Sequence, residues 1–286
     1  MVEILNGSVL KEEILEDLTN KIEVSAKEYK RAPGLATILI GEDEASKMYI
    51  RMKHEICRRL SIYSLDVHIP TESTVDNIRE EIQKINNNDK IDGILIELPL
   101  PLKFRKDRDE LLKFISPYKD VDGLTPYSMG LSMMGDETFA AATPKGMIKL
   151  LEKAEITIEG KEVVIINRTI VIGKPLAMMF LKRHGTVTVC HTKTKNLEFH
   201  MKRADILVSG TSNPNFITAD KIKEGVVIID AGINKNAEGK LCGDVDFEGV
   251  KDKCSAITPV PGGVGPITNA MLMQNTYNSF LKRISA

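Results

Sequence analysis

Tyr49 and Lys53 stand four residues apart in a stretch with helical apolar spacing, so the two side chains share one helix face. A lysine becomes an acid or base when its neighbours tune it. By itself the pair also fits an ordinary amphipathic surface, and it gains meaning only beside other groups. A second cluster is Lys119-Asp120-Val121-Asp122-Gly123, two carboxylates in a loop before Leu124-Thr125-Pro126. Asp beside Gly is common turn chemistry. A third is the run Ile257-Thr258-Pro259-Val260-Pro261-Gly262-Gly263-Val264-Gly265-Pro266-Ile267-Thr268. Proline fixes φ, and glycine lets backbone approach a ligand closely, so so many of both in one loop point to ligand binding rather than a plain connector.

The remaining chemistry-bearing residues follow an apolar run, Val163–Ile166, which leads into Asn167-Arg168-Thr169 and a helix opening near Gly173-Lys174-Pro175. A strand, a polar turn and a helix N-terminus form a phosphate-binding geometry through free N–H groups and the helix dipole. No G-x-G-x-x-G is present. Arg168 is placed either to grip an additional phosphate as a bidentate fork or to sit as a surface arginine. Further on, Cys190-His191-Thr192-Lys193-Thr194 closes the next strand, where the adenosine ribose or its phosphate is often held. His191 is read there as a hydrogen-bonded loop residue without an acid–base role.

These groups need positioning elements, and the chain alternates helical and strand patterns to supply them. Val9 to Lys30, Asp43 to Leu60 and Val75 to Ile85 carry helical spacing, while 35–41, 64–69 and 91–96 read as strands. That succession predicts a mostly parallel sheet with helices on both faces. A second series begins at Thr143-Pro144, read as an N-cap and first helical residue before a helix to Lys153. Strands follow at Glu162–Ile166, Thr186–Cys190, Ile206–Ser209 and Val226–Asp230, with helices over 174–183 and 196–203, and a last helix runs from Ile267 to about Arg283. The stretch 115–142 reads as the junction, and there is no internal repeat. The fold class expected is α/β with two domains, residues 1–142 plus the terminal helix 265–286 and residues 143–264, with the active-site cleft between them.

Composition narrows the partners. Lys+Arg 39 against Asp+Glu 40 leaves no net field for nucleic acid or an anionic membrane. No apolar run approaches a membrane span, and the start Met1-Val2-Glu3-Ile4-Leu5 lacks signal-peptide character, which predicts a cytoplasmic protein. Cys57, Cys190, Cys242 and Cys254 show no metal-like spacing, and the histidines at 54, 68, 184, 191 and 200 are scattered, so no metal site is expected. Nor does a G-x-S-x-G nucleophile elbow occur.

Taken in order, the motifs resemble the methylenetetrahydrofolate dehydrogenase/cyclohydrolase family over essentially the whole chain. The matching segments are Pro33-Gly34-Leu35-Ala36, Ala45-Ser46 with Tyr49 and Lys53, Leu98-Pro99-Leu100-Pro101, Lys119 to Leu124, and Thr143-Pro144-Lys145-Gly146. Thr186-Val187-Thr188 with His191, Ala204-Asp205-Ile206-Leu207, Asp230-x-Gly232-Ile233-Asn234, Gly243-Asp244-Val245 and the loop Thr258 to Pro266 complete them. The resemblance implies oxidation of 5,10-methylenetetrahydrofolate to the methenyl form by hydride transfer to NADP⁺, then hydrolysis to 10-formyltetrahydrofolate in the same cleft. It implies an N-terminal folate domain, a C-terminal Rossmann-like NADP domain and a homodimer.

By the same likeness Tyr49 stacks on the aminobenzoate ring, Asp122 hydrogen-bonds the pterin, and Lys53 assists proton transfer and water activation. Pro261, Gly262, Gly263 and Val264 line the folate site. Arg168 meets the cofactor's 2′-phosphate, with Thr192, Lys193 and Thr194 nearby, and Asn167, Thr169, Gly173, Pro175, His191, Ser212 and Ile233 complete the NADP site.

Three departures stand out. Glu97 replaces the usual Gln before Leu-Pro-Leu, Asn167 replaces a glycine of the phosphate turn, and Ser212 replaces another. Asn tolerates φ > 0 better than most residues, so Asn167 is expected to keep the turn while crowding the pyrophosphate. A carboxylate at 97 near Lys53 favours the charged ammonium, a poor base. That predicts a dehydrogenase with weakened cyclohydrolase activity, unless Glu97 itself orients the water. A folate-binding paralogue without turnover is the alternative suggested by Asn167 and Ser212.

Overall fold

The computed structural model describes residues 2–285. These residues divide into two compact units. One holds Glu13–Leu131, Thr138–Ala142 and the chain from Leu272 on; the other holds the residues up to Glu12, Ser132–Glu137 and Thr143–Met271. Along the chain the elements are β1 (Glu3–Ile4), α1 (Gly7–Tyr29), β2 (Gly34–Ile40), α2 (Glu44–Arg59), β3 (Tyr63–Ile69), α3 (Val75–Asn86), β4 (Gly93–Ile96), α4 (Arg108–Lys113) and α5 (Pro126–Met133). Then come α6 (Ala142–Lys153), β5 (Glu162–Ile166), α7 (Gly173–Lys182), β6 (Thr186–Cys190), α8 (Leu197–Arg203), β7 (Ile206–Ser209) and β8 (Val226–Asp230). A small hairpin of β9 (Asn234–Lys235) and β10 (Leu241–Cys242), then α9 (Phe247–Val250), β11 (Cys254–Ile257) and α10 (Val264–Ile284), complete the series.

The first unit is built on a three-stranded parallel sheet in the order β3-β2-β4. Every residue of β2 and β4 is buried, as expected of apolar runs covered on both faces. Around it, α2 is capped by Asp43, whose carboxylate accepts from the Ser46 N–H, and ends on Arg58 and Arg59, favourable at a helix C-terminus. Thr74 and Asn77 form a reciprocal capping box at the start of α3, whose Ile78, Ile82 and Ile85 are buried one turn apart. The C-terminal half of α10 belongs to this unit: Asn275 donates to the carbonyls of Val121 and Ala140, and Ser279 to that of Asp92.

The second unit carries a six-stranded parallel sheet, β1-β11-β8-β7-β5-β6. The chain leaves β5 for β6 on one side and then returns to β7 on the other. The C-terminal ends of β5 and β7 therefore flank the switch point where ligands settle in open α/β sheets.

Several expectations change. β1 pairs with β11, so the first residues lie against the six-stranded sheet. Thr143 is not the residue before its helix, because α6 already includes Ala142 and places Thr143 in its first turn. The stretch read as a plain junction holds α5. β11 carries no strand pattern in the sequence, being four residues long with a serine within it.

Asp92 ties the first unit together. It is fully buried, and its carboxylate takes two bonds from Arg31 (2.7 Å each), one from Arg283 (2.7 Å) and one from the Gly34 N–H (2.9 Å). Replacing it leaves two guanidinium groups and an N–H without their acceptor. Asp92→Ala is expected to cost about 3 kcal/mol, within the range for a broken buried pair whose cations keep some solvent. Urea unfolding measures it, as a lowered midpoint at an unchanged slope.

Candidate active site

At the C-terminal edge of the three-stranded sheet, three titratable residues converge from separate segments. Glu97 follows β4 directly, and its N–H bonds the Ile38 carbonyl at 2.9 Å, extending the ladder with β2 by one step. Lys53 reaches this edge from α2 and donates to Glu97 Oε1 at 2.5 Å. Both side chains are buried, Lys53 to 9% and Glu97 to 8% exposure. Asp122 arrives by another route: a parallel bridge pairs Asp120 with Ile94, so the chain runs beside β4 and carries Asp122 to the level of that strand's end.

The two aspartates of that loop have different work. Asp120 is buried and accepts from the N–H groups of Gly123 (2.9 Å), Leu124 (3.2 Å) and Thr125 (2.8 Å), which fixes the turn. Gly123 has φ +72°, and a Cβ there would lie 2.5 Å from the Phe139 carbonyl oxygen, so only glycine fits. Lys119, also buried, donates to the carbonyls of Asn86 (2.7 Å) and Asn88 (2.9 Å) at the end of α3. Asp122 makes no side-chain hydrogen bond among the described residues and keeps part of its surface open. Burial, then the Asp120 charge, push its carboxyl up to about 7; Lys53 pulls it down and Glu97 adds to the rise. Because Lys53 and Glu97 neutralise one another, Asp122 is the group of this edge poised to exchange a proton near neutral pH. Tyr49, one turn before Lys53, is 36% exposed, its ring available to solvent or a ligand.

The second constellation sits at the switch point of the six-stranded sheet. Asn167 follows β5 directly, and its Nδ2 donates to the Gly210 carbonyl beyond β7 at 2.7 Å. Its Oδ1 accepts from the N–H and hydroxyl of Thr169 (2.8 Å each) and from the Gly173 N–H at 3.0 Å. Asn167 is not among the residues with positive φ, so it holds the turn by its side chain and not by the left-handed backbone expected of it. The free N–H groups expected at the start of α7 are also taken. Ser212, by contrast, does have φ +57°, where a glycine was anticipated. Arg168 is exposed and forms no ion pair among the described residues. On the neighbouring strand end, His191 Nδ1 accepts from the Lys193 N–H (3.1 Å) and Thr194 Oγ1 from the His191 N–H (2.9 Å). This tight turn leaves Thr192 and Lys193 exposed and holds His191 by hydrogen bonds within the loop.

Two buried carboxylates hold the loops beyond β7 and β8. Asp244 accepts from the Ser209 hydroxyl (2.7 Å), the N–H groups of Thr211 (2.6 Å) and Asn213 (3.0 Å), and the Asn234 amide (2.9 Å). Asp230 accepts from the N–H groups of Gly232 (2.8 Å), Asp244 (3.1 Å) and Val245 (2.9 Å). Burial pushes Asp230 up to about 6 against the pull of those donors. Cβ atoms at Gly232 and Gly243 would fall 2.3 Å and 1.9 Å from the two carboxylates. The loop from Pro259 has a cis Val260–Pro261 bond and Gly262 at φ +111°; the Gly262 carbonyl accepts from the Ser8 N–H at 3.1 Å, and Val264 begins α10.

Residues 5–122 match the model of the tetrahydrofolate dehydrogenase/cyclohydrolase catalytic domain, and residues 141–284 that of the NAD(P)-binding domain of the same family. The chain belongs to the tetrahydrofolate dehydrogenase/cyclohydrolase family. It is 45% identical over 276 residues to the bifunctional protein FolD of Methanoculleus marisnigri, covering 96% of this chain and 95% of that one. Among solved structures, the bifunctional FolD methylenetetrahydrofolate dehydrogenase/cyclohydrolase of Campylobacter jejuni superposes with a TM-score of 0.95 at 40% identity, covering 99% and 100% of the two chains. The Trypanosoma brucei N5,N10-methylenetetrahydrofolate dehydrogenase-cyclohydrolase, solved with NADP cofactor and an inhibitor, gives 0.94 at 30% identity, covering 100% and 99%.

Within this family fold, Lys53, Glu97 and Asp122 are brought together, and Asn167, Thr169 and Gly173 form one hydrogen-bonded turn. Pro175 is buried in the first turn of α7, while Ile233 is 57% exposed on the loop after β8. Sequence reasoning gave no role to Gly210 and Thr211, although they follow β7 at the switch point. Thr211 Oγ1 is buried without a partner among the described residues, which fits a polar group of a bound cofactor. The signal that could have found the supporting pair is Asp230, an acid closing an otherwise apolar strand. Among the described residues no His/Cys/Asp/Glu group suits a metal ion, and no helix is long and apolar enough to cross a membrane.

Asp244→Ala removes four bonds at once and is expected to lower stability by about 3 kcal/mol. Amide exchange should accelerate at Thr211 and Asn213 while Gly123 and Thr125, held by Asp120, keep their protection.

Proposed function

We propose that this chain oxidises 5,10-methylenetetrahydrofolate to the methenyl form with NADP⁺ and hydrolyses the product to 10-formyltetrahydrofolate. The observation that carries the reading is the grouping of Lys53, Glu97 and Asp122 at one sheet edge, inside the segment matching the family's catalytic domain. The exposed ring of Tyr49 suits stacking on the aminobenzoate, and Asp122, whose carboxylate takes no hydrogen bond among the described residues, suits the donor/acceptor edge of the pterin. Lys53 places an ammonium beside Glu97 at the same sheet edge, a positive charge next to the one-carbon unit.

NADP⁺, when bound, accepts the hydride; the protein's share is to align the two reactants and to hold charge near the reacting carbon. Arg168, Thr192 and Lys193 offer exposed donors for a 2′-phosphate, and the unpartnered Thr211 hydroxyl offers another polar contact. Pro261 to Val264 form a rigid loop suited to the folate. A folate domain built on residues 13–131, an NADP domain built on 143–264, and a cytoplasmic homodimer that binds neither membrane nor nucleic acid belong to the same proposal. The exposed edge strand β3 supports association with a second copy.

The Lys53–Glu97 pair favours a second reading of the hydrolytic half. The Glu97 carboxylate takes the Lys53 ammonium at 2.5 Å, so Lys53 is engaged by its partner and not by an attacking water, and hydrolysis is slowed relative to hydride transfer. An absorbance time course with methylenetetrahydrofolate and NADP⁺, corrected for spontaneous hydrolysis, tests both. Reduced cofactor is expected; methenyl product stays transient if the chain hydrolyses it freely and accumulates if the Lys53–Glu97 pair slows that step. Glu97→Gln is expected to raise methenyl hydrolysis about a hundredfold, the lower end of what one general acid–base group contributes. No reduced cofactor would refute the dehydrogenase; an unchanged hydrolysis rate in Glu97→Gln would refute the ion-pair account.

A further inference from the structure

We propose that Asn167 closes the N-terminus of α7 to the cofactor's pyrophosphate, so that this chain grips NADP⁺ through the adenosine 2′-phosphate and not through the helix. The inference rests on the NADP reading above and concerns how that cofactor is held. A helix start attracts phosphate because its first N–H groups lack intrahelical partners. In α7 those donors are already used. Gly173 N–H bonds Asn167 Oδ1 at 3.0 Å, Lys174 N–H bonds the Thr169 carbonyl at 3.0 Å, Pro175 has no N–H, and Leu176 N–H bonds the Ile172 carbonyl at 3.0 Å.

The preceding turn is committed at two of its N–H groups. Thr169 N–H goes to Asn167 Oδ1 at 2.8 Å, and Ile172 N–H goes to Thr169 Oγ1 at 3.2 Å. One amide oxygen thus stands where a phosphate oxygen would be received, and the other half of the same side chain is anchored across the switch point on the Gly210 carbonyl. To displace it a pyrophosphate must break four hydrogen bonds of one side chain. What stays open nearby is cationic: Arg168 on the same turn and Lys193 beyond the adjacent strand β6, both exposed. An extra phosphate is the part of NADP⁺ that NAD⁺ lacks, and Arg is the side chain best shaped to receive it. Asn167 is therefore a positioning residue that lowers the affinity contributed by the shared part of the two cofactors.

Calorimetric titration with NADP⁺, NAD⁺ and 2′-AMP separates the contributions, since 2′-AMP carries the 2′-phosphate without a pyrophosphate. Asn167→Gly frees the Gly173 and Thr169 N–H groups, so NADP⁺ and NAD⁺ should both bind about tenfold tighter, and 2′-AMP unchanged. A folded Asn167→Gly variant whose NADP⁺ and NAD⁺ affinities are unchanged or weaker overturns the proposal. The unmodified protein gives an independent reading by NMR. At saturating NADP⁺ the Gly173 and Thr169 amide resonances should stay in place while Arg168 and Lys193 shift. A downfield shift of Gly173, as on acceptance by a phosphate, overturns the proposal even if the variant does not fold. Absence of binding by both NADP⁺ and 2′-AMP overturns the NADP reading itself, and this inference with it.

Discussion

Parallel sheets end in loops whose backbone N–H groups the ladder can no longer satisfy, and this structure meets that demand with buried carboxylates. Asp120 collects three N–H groups, Asp230 three more, and Asp244 two together with a hydroxyl and an amide. Asp92 takes one N–H and two guanidinium groups. An unpaired buried N–H is costly, and a carboxylate with several acceptor sites answers several of them at once. The loops that carry the chemistry are therefore held as firmly as the strands they leave.

Against that background Asp122 is the exception that matters. It lies two residues from Asp120 and burial raises its carboxyl, yet among the described residues its carboxylate receives no hydrogen bond to stabilise its charge. With Lys53 and Glu97 joined in their own pair, Asp122 is left to exchange a proton with whatever enters. The structural acids and the reactive one share a residue type and differ only in what their oxygens meet.

Much of this was legible in the sequence. Unbroken apolar runs gave β5, β7 and β8 with their observed ends, because strands buried on both faces have no polar side to blur them. The family resemblance singled out Tyr49, Lys53, Glu97 and Asp122, and of these Lys53, Glu97 and Asp122 come together at one sheet edge. Other features depend on pairing across long separations. Which aspartate of Asp120-Val121-Asp122 is structural follows from the bridge to Ile94, and local sequence carries no trace of it. β1 is too short to announce itself and exists through its register with β11. At Asn167 residue type suggested a tolerated backbone conformation, whereas the side chain's reach to Gly210 and Gly173 does the work. Ser212 shows the opposite outcome, a non-glycine residue kept in the left-handed region among loops fixed by Asp244.

The most direct test is a side-chain ¹³C titration of Asp122, assigned by comparison with Asp122→Asn. The folded value lies at about 7 against 3.8 for an ordinary aspartate, so between those values the folded protein holds a proton that the unfolded chain has released. Stability contributed by that proton is present below pH 3.8 and lost as pH rises through 7. The account predicts a carboxyl transition near neutrality, with wild type losing stability relative to Asp122→Asn across that window. A transition in the usual carboxylate range near 3.8, with no pH-dependent gap between the two proteins, would contradict it.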